Sequence, residues 1–378
     1  MNERVLIKGA RVLTMTEKGV IERGDILLEE GRIRAVEQHI ECPEAEVVEA
    51  RGFWATPGLI DPHCHIGMEE EIIGYPGDDL NEVTDPLTPQ LRALDAVNPR
   101  EGCFAEALAH GVTTVVTGPG SANVLGGTFV ALKTGGERVD DMVIREVALK
   151  AALGENPKRV YGEQKRTPRT RMATAALLRQ ALIDAQKNEK PDSLATKAVR
   201  RVLEGELPLK VHCHRLDDIL TALRIAREFE IRITLEHCTE GYLMPEVLRE
   251  AEVSVAIGPL ITDRCKPEME RLSYEAPRKL WEAGVPFALM TDHPVIPAYL
   301  LPVEAALATR YGLPDLVALE AITRRAAEHN GIADRVGALS PGLDGDVVLF
   351  DGDPLAVKTR VRRVYVGGNL AYAGASAC

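Results

Sequence analysis

No apolar run in the sequence approaches the roughly 18 residues that span a bilayer, and the N-terminus, MNERVLIKGA, has no apolar signal segment. A cytoplasmic protein is therefore expected. Basic charge is in deficit: 45 Lys and Arg face 57 Asp and Glu, for a net charge of −12. That balance argues against nucleic acid or anionic membrane as a partner, because both reward a basic surface. Cysteine is odd in number at seven and never arranged as C-x-x-C. This excludes a disulfide framework and a thiolate zinc site, and it fits a reducing compartment. There is no solenoid repeat. Also missing are the G-x-S-x-G of serine hydrolases and a G-x-G-x-x-G phosphate loop behind the first apolar strand. TGPGSANVLGG has the glycines without that order and reads as a pliable loop.

What is present is 378 residues with 45% hydrophobic and 27% charged content, enough for a large core. The two ends look all-β. RVLIKGARVLTM, GDILLEEGRIRAVEQ and EVVEARGFWATPG are short β-rich runs broken by glycine, with EEG as a hairpin turn. GDVVLFDGDP and RVRRVYVGGNLAYA repeat the style with period two. These ends predict one composite β-sandwich subdomain, residues 1–57 with 340–378. The middle, residues 58–339, alternates apolar strand-like runs with helix-like segments such as RMATAALLRQALIDAQ and DDILTALRIAREFE. About eight such strands over roughly 270 residues is the size of a (β/α)8 (TIM) barrel.

Chemistry gathers at the strand ends. GLIDPHCH ends in His63 and His65, LPLKVHCH in His212 and His214, IRITLEHC in His237, and VPFALMTDH in Asp292 and His293. Residues two apart on a strand share a face, so each H-x-H pair points one way and Cys64 the other. In a barrel these ends share one mouth. Several imidazoles and a carboxylate buried together without a partner would carry desolvation costs of several kcal/mol. A divalent cation removes that cost, and nitrogen and carboxylate donors suit zinc, with iron or manganese as alternatives.

PGLIDPHCHIG, VHCH, LEHC and MTDHPVI together resemble the amidohydrolase superfamily, in its imidazolonepropionase-like branch, over essentially the whole chain. The resemblance implies a distorted barrel holding one or two metals. Its ligands would be His63 and His65 on the first strand, His212 on the fifth, His237 on the sixth and Asp292 on the eighth. It implies hydrolysis of a C–N bond in a cyclic or otherwise non-peptide amide by metal-activated hydroxide. Asp292 would carry the proton, and His237 would hold a second metal or polarise the carbonyl. Relatives resembling prolidases carry a bridging carboxylated lysine on the fourth strand. Lys150 matches it in VALKAAL, with Glu155 or a one-metal site as alternatives. A small-molecule substrate and a homo-oligomer follow from the same resemblance.

The chain departs from the family pattern at Arg215, where a glutamate is expected. That loss counts against both imidazolonepropionase activity and ring deamination; deamination stays open as an alternative, as does an inactive scaffold on the same fold. His214 and Arg215 are candidate substrate contacts, with arginine suited to a carboxylate. The alternative for Arg215 is an ion pair with Asp217 or Asp218. Residues 155–171, ENPKRVYGEQKRTPRTR, are rich in Lys and Arg and read as a loop beside the metal that recruits an anion. Charge reversal at Arg169 or Arg171 should then raise KM more than it lowers kcat, and an unchanged KM in steady-state assays would make the run a solvated face.

Overall fold

The structure is a computed structural model and describes residues 4–71, 73–187 and 193–374. The chain opens with β1 (Arg4–Leu13), β2 (Val20–Glu29), β3 (Arg32–Glu37), β4 (Glu46–Glu49) and β5 (Trp54–Pro57). Then come β6 (Leu59–Cys64), β7 (Val112–Thr117), β8 (Leu125–Lys133) and β9 (Val143–Ala152). β10 (Leu209–Cys213), β11 (Ile233–His237), β12 (Ser254–Ile257) and β13 (Phe287–Leu289) follow. β14 (Val347–Phe350), β15 (Val361–Val366) and β16 (Asn369–Ala373) end it.

β6 to β13 form one sheet in chain order. Its ends are brought together by His65 N–H donating to His293 O at 2.8 Å and Asp292 N–H donating to His63 O at 3.2 Å. β6 and β7 are buried along their whole length, as strands covered on both faces must be. The helices outside are amphipathic. In Arg171–Lys187, the buried residues Thr174, Ala175, Leu178, Leu182 and Ala185 fall on one stripe.

The regular parallel order breaks once. β8 runs antiparallel to both β7 and β9. A parallel return needs a crossover of about a dozen residues, and residues 118–124 are too few to build one. The glycine-rich stretch read as a loop therefore divides, with Leu125, Gly126 and Gly127 already in β8. Residues 155–171 also differ from expectation, because Glu155–Glu163 is a helix. Its glycine and proline are tolerated there, Pro157 lying in the first turns where its missing N–H costs nothing.

The second sheet joins both ends of the chain in the order β16-β15-β14-β5-β1-β2-β3, with β4 beside β1. The β2–β3 turn has positive φ at Glu30 and Gly31, as a two-residue hairpin with the strands' own twist requires. Ile7, Val12, Ile26, Leu28, Val347 and Leu349 pack into an apolar cluster of this sheet's own side chains.

Barrel and second sheet meet at a charged cluster. Lys133, at the end of β8, stands 3.0 Å from Asp344 and 2.5 Å from Asp346, just before β14. Arg335 forks onto both oxygens of Asp344 at 3.0 Å. Burial pushes the Asp344 carboxyl up, but Arg335 and Lys133 outweigh it and hold it low. Lys133→Met leaves these buried carboxylates short of a cation and should cost about 3 kcal/mol in urea unfolding. An unchanged midpoint would show that the cluster does not couple the sheets.

Candidate metal centre

At the mouth of the barrel, β6 delivers His63 and the following His65, whose rings lie 5.3 Å apart. Cys64 turns away and points its thiol at Val116 O. β10 delivers His212 and then His214, with rings 4.8 Å apart. His237 and Asp292 leave the strand pattern: their φ values are +66° and +55°. Left-handed backbone is costly for residues with a Cβ, of order 1–3 kcal/mol, and concentrates at functional sites. Here it swings both side chains inward.

Two groups of potential cation ligands result, His63–His65–Asp292 and His212–His214–His237, each with its ligand atoms within 4.8 Å of one another. Asp292 touches both. Its Oδ1 is 3.6 Å from His63 Nε2 and 3.3 Å from His65 Nε2, while Oδ2 is 3.9 Å from His237 Nε2.

The far nitrogen of each ring decides what its near one can do. His65 Nδ1 donates to Gly118 O at 2.6 Å and His237 Nδ1 to Gly258 O at 2.9 Å. His63 Nδ1 lies 3.1 Å from Glu236 Oε2, and His214 Nδ1 2.7 Å from Thr239 Oγ1. A neutral ring that donates through Nδ1 has a bare lone pair on Nε2, the form that binds metal. Burial pushes His63 well below its ordinary pKa, with Lys150 adding to the effect. Burial likewise depresses His212, His214 and His237, with the Lys266 and Lys150 charges contributing to all three. Burial pushes Asp292 up, but His237, His65 and His63 outweigh it, so the carboxylate stays ionised.

Below the mouth lies a layer absent from the sequence-based expectation. β9, β10 and β11 align Lys150 with Lys210, and His212 with Ala152 and Glu236. Glu236 is fully buried. Its Oε2 is 3.1 Å from both His63 Nδ1 and Lys210 Nζ, and its Oε1 accepts from Thr234 at 2.7 Å and lies 3.3 Å from His329 Nε2. Phe129 stacks on His63 with centroids 5.1 Å apart and lies beneath the ammonium groups of Lys150 and Lys210.

Lys150 is brought to this site. It is fully buried, its Nζ is 3.3 Å from His63 Nε2, and burial lowers its pKa to about 8. His214 stands with His212 and His237 as a third potential ligand. Arg215 is exposed and forks onto Asp217 at 3.0 Å through two bonds, the arrangement of the ion-pair alternative. A helix begins at Leu216, and position 215 is its N-cap, which faces the side chain outward. Glu155 joins neither histidine group; its Oε2 accepts the Glu268 amide at 3.4 Å. Arg171 is held on Asp218 at 3.0 Å, whereas Arg169 is exposed. His293 turns away from the histidines toward Glu101 and Cys103.

The residues fit a divalent cation on a direct observation. His214 Nε2 and Asp292 Oδ1 are buried without a hydrogen-bond partner. Such atoms cost free energy unless something satisfies them. Glu236 and Lys210 could have been suspected from the sequence, as charges inside the apolar runs ITLEH and LKVHC. Glu268 and Lys266, which face the His212 side, stand in the polar stretch CKPEMER and carry no local signal.

The amidohydrolase family model matches residues 54–371 of this chain. Amidohydrolase tasK of Hapsidospora irregularis is 29% identical over 394 residues, covering 92% of this chain and 40% of that protein. The chain thus spans less than half the length of that relative. The imidazolonepropionase of Geobacillus kaustophilus is 28% identical over 379 residues, covering 89% of this chain and 86% of that one. The crystal structure of an amidohydrolase from Thermotoga maritima superposes with a TM-score of 0.95 at 41% identity, covering 98% of this chain and 100% of that one.

Glu236→Gln removes the charge that orients His63 and neutralises Lys210. Chelator competition should show cation affinity falling about 10- to 100-fold, as for loss of a carboxylate behind a ligating histidine. Unchanged affinity would make Glu236 a purely structural counter-ion of Lys210.

Proposed function

The chain belongs to the amidohydrolase family and is a hydrolase of C–N bonds; on that premise we propose that it cleaves a small cyclic or otherwise non-peptide amide at a centre of one or two divalent cations. The observation that carries this reading is Asp292, whose two oxygens face the two histidine groups. His63, His65 and Asp292 would hold one cation and His212 and His237 another, with Lys150 between them as a carboxylated bridge. Burial supports the last assignment, because a lysine lowered to about 8 is more readily the neutral amine that adds to carbon dioxide. Zinc suits the donors best, with iron or manganese as alternatives.

When bound, such a cation polarises a carbonyl and makes water more acidic. Asp292 remains ionised, so it accepts the proton of the attacking water and returns it to the leaving nitrogen. His237 acts as a ligand rather than a carbonyl donor, since its proton sits on Nδ1 facing Gly258. With Arg215 on the surface, support for a substrate carboxylate passes to Lys266, whose charge already acts on three of the histidines. Ring deamination is the second reading, and Arg215 in place of a carboxylate still counts against it.

We also read the sheet of both termini as a composite, sandwich-like subdomain, residues 1–57 with 340–378, apart from the barrel of 58–339. An apolar cluster built mainly from its own strands supports this. A homo-oligomer working on small molecules in the cytoplasm completes the proposal. The six described cysteines are unpaired, and no helix among the described residues is long and apolar enough to cross a membrane.

The test is to load the protein with zinc or manganese and assay cyclic amides, N-acyl amino acids and dipeptides beside Asp292→Asn. Turnover of one class, with kcat lower by about 10²- to 10⁴-fold in the variant, is expected. Equal turnover by the variant would remove Asp292 from the chemistry.

A further inference from the structure

The segment between β12 and β13 brings over the mouth a carboxylate that the chemistry above leaves unused. Glu268, in the turn Pro267–Met269, is 1% exposed. Its Oε2 is occupied, accepting the amide of Glu155 at 3.0 Å at the start of the helix Glu155–Glu163. Its Oε1 is buried and has no hydrogen-bond partner. It stands 3.6 Å from His214 Nε2 and 3.9 Å from His212 Nε2. Lys266 Nζ lies 3.0 Å away as an ion pair outside hydrogen-bonding geometry.

These separations are too long for hydrogen bonds but suit two ligands of one ion. Ligand atoms about 2.1 Å from a tetrahedral cation stand about 3.4 Å apart. Asp292 Oδ1 shows the same relation to His65 and His63, at 3.3 and 3.6 Å. His214 points the same way from the other side. Its Nε2 is buried and unpartnered, and Thr239 Oγ1 holds its Nδ1.

We propose that Glu268 is a ligand of the cation held by His212, His214 and His237, so that a loop after the seventh barrel strand completes that half of the centre. The inference rests on the metal-dependent reading above and deepens it. Glu268 adds a carboxylate to the donors of that cation, and the carboxylated Lys150 proposed above would remain the bridge to the cation of His63, His65 and Asp292. A cation at Glu268 Oε1 replaces Lys266 as its counter-charge, and Lys266, 24% exposed, then faces the mouth.

The experiment is zinc loading by equilibrium dialysis with elemental analysis, on the wild-type chain, Glu268→Gln and His214→Gln. Two zinc ions per wild-type chain are expected. Each variant should keep one tightly and bind the other at least about 10-fold more weakly. Unchanged affinity at both positions in Glu268→Gln overturns the proposal. An anomalous-difference map of zinc-loaded wild-type crystals reads the same point without any variant. A peak at bonding distance from Glu268 supports it, and peaks only at His63, His65 and Asp292 overturn it while leaving the proposed function standing. A wild-type chain that holds no zinc or manganese overturns both.

Discussion

The centre depends on one buried carboxylate. Glu236 lies under the mouth with no access to water, and it is tolerable there only because Lys210, His63, Thr234 and His329 surround it. Lys210 is equally buried, and besides Glu236 it donates to Pro62 O and Asn330 Oδ1. Removing either charge strands the other, and stranding a buried charge costs far more than the pair contributes. The same carboxylate lies 3.1 Å from His63 Nδ1, so its charge favours a proton on that nitrogen over one on Nε2. A structural ion pair and a chemical preference are here one arrangement.

The antiparallel β8 serves that arrangement. A parallel third strand would enter through a crossover helix and bring its residues to the mouth in the opposite sense. The short return over residues 118–124 instead lays Phe129 against His63 and beneath two lysine ammonium groups. The aromatic face is the negative side of the ring and eases the burial of both cations. The packing is tight: a Cβ on Gly118 would lie 2.1 Å from the Phe129 ring. Gly118 also supplies the carbonyl that fixes His65, so the turn that reverses the chain also orients a ligand.

Around this floor the candidate ligands come from elements of unequal rigidity. His63, His212 and His237 end paired strands. Asp292 and His237 sit on strained backbone, and the hydrogen bonds across the closing seam hold Asp292 in place. Glu268 and Lys266 ride on a loop. Such a loop can change its sequence without disturbing the barrel, which is why the mouth of a barrel is where specificity is set.

The sequence by itself determined the barrel scaffold and which charged and imidazole side chains end its strands. Apolar runs ending in His63, His65, His212, His237 and Asp292 are local patterns, and strand periodicity places both members of an H-x-H pair on one face. Lys150 was legible because a lysine within VALKAAL has to be explained. Tertiary structure decided the rest, because the deciding contacts join residues far apart in the chain. Arg215 became a surface ion pair once a helix started beside it, and Glu155 was taken up by the Glu268 backbone. β8 reversed because its connection was too short for a crossover. His214 turned toward His212 and His237, and Glu268 reached them from a polar loop with no periodicity to mark it. Local pattern tells which residues end a strand; only the closed barrel tells which of them meet.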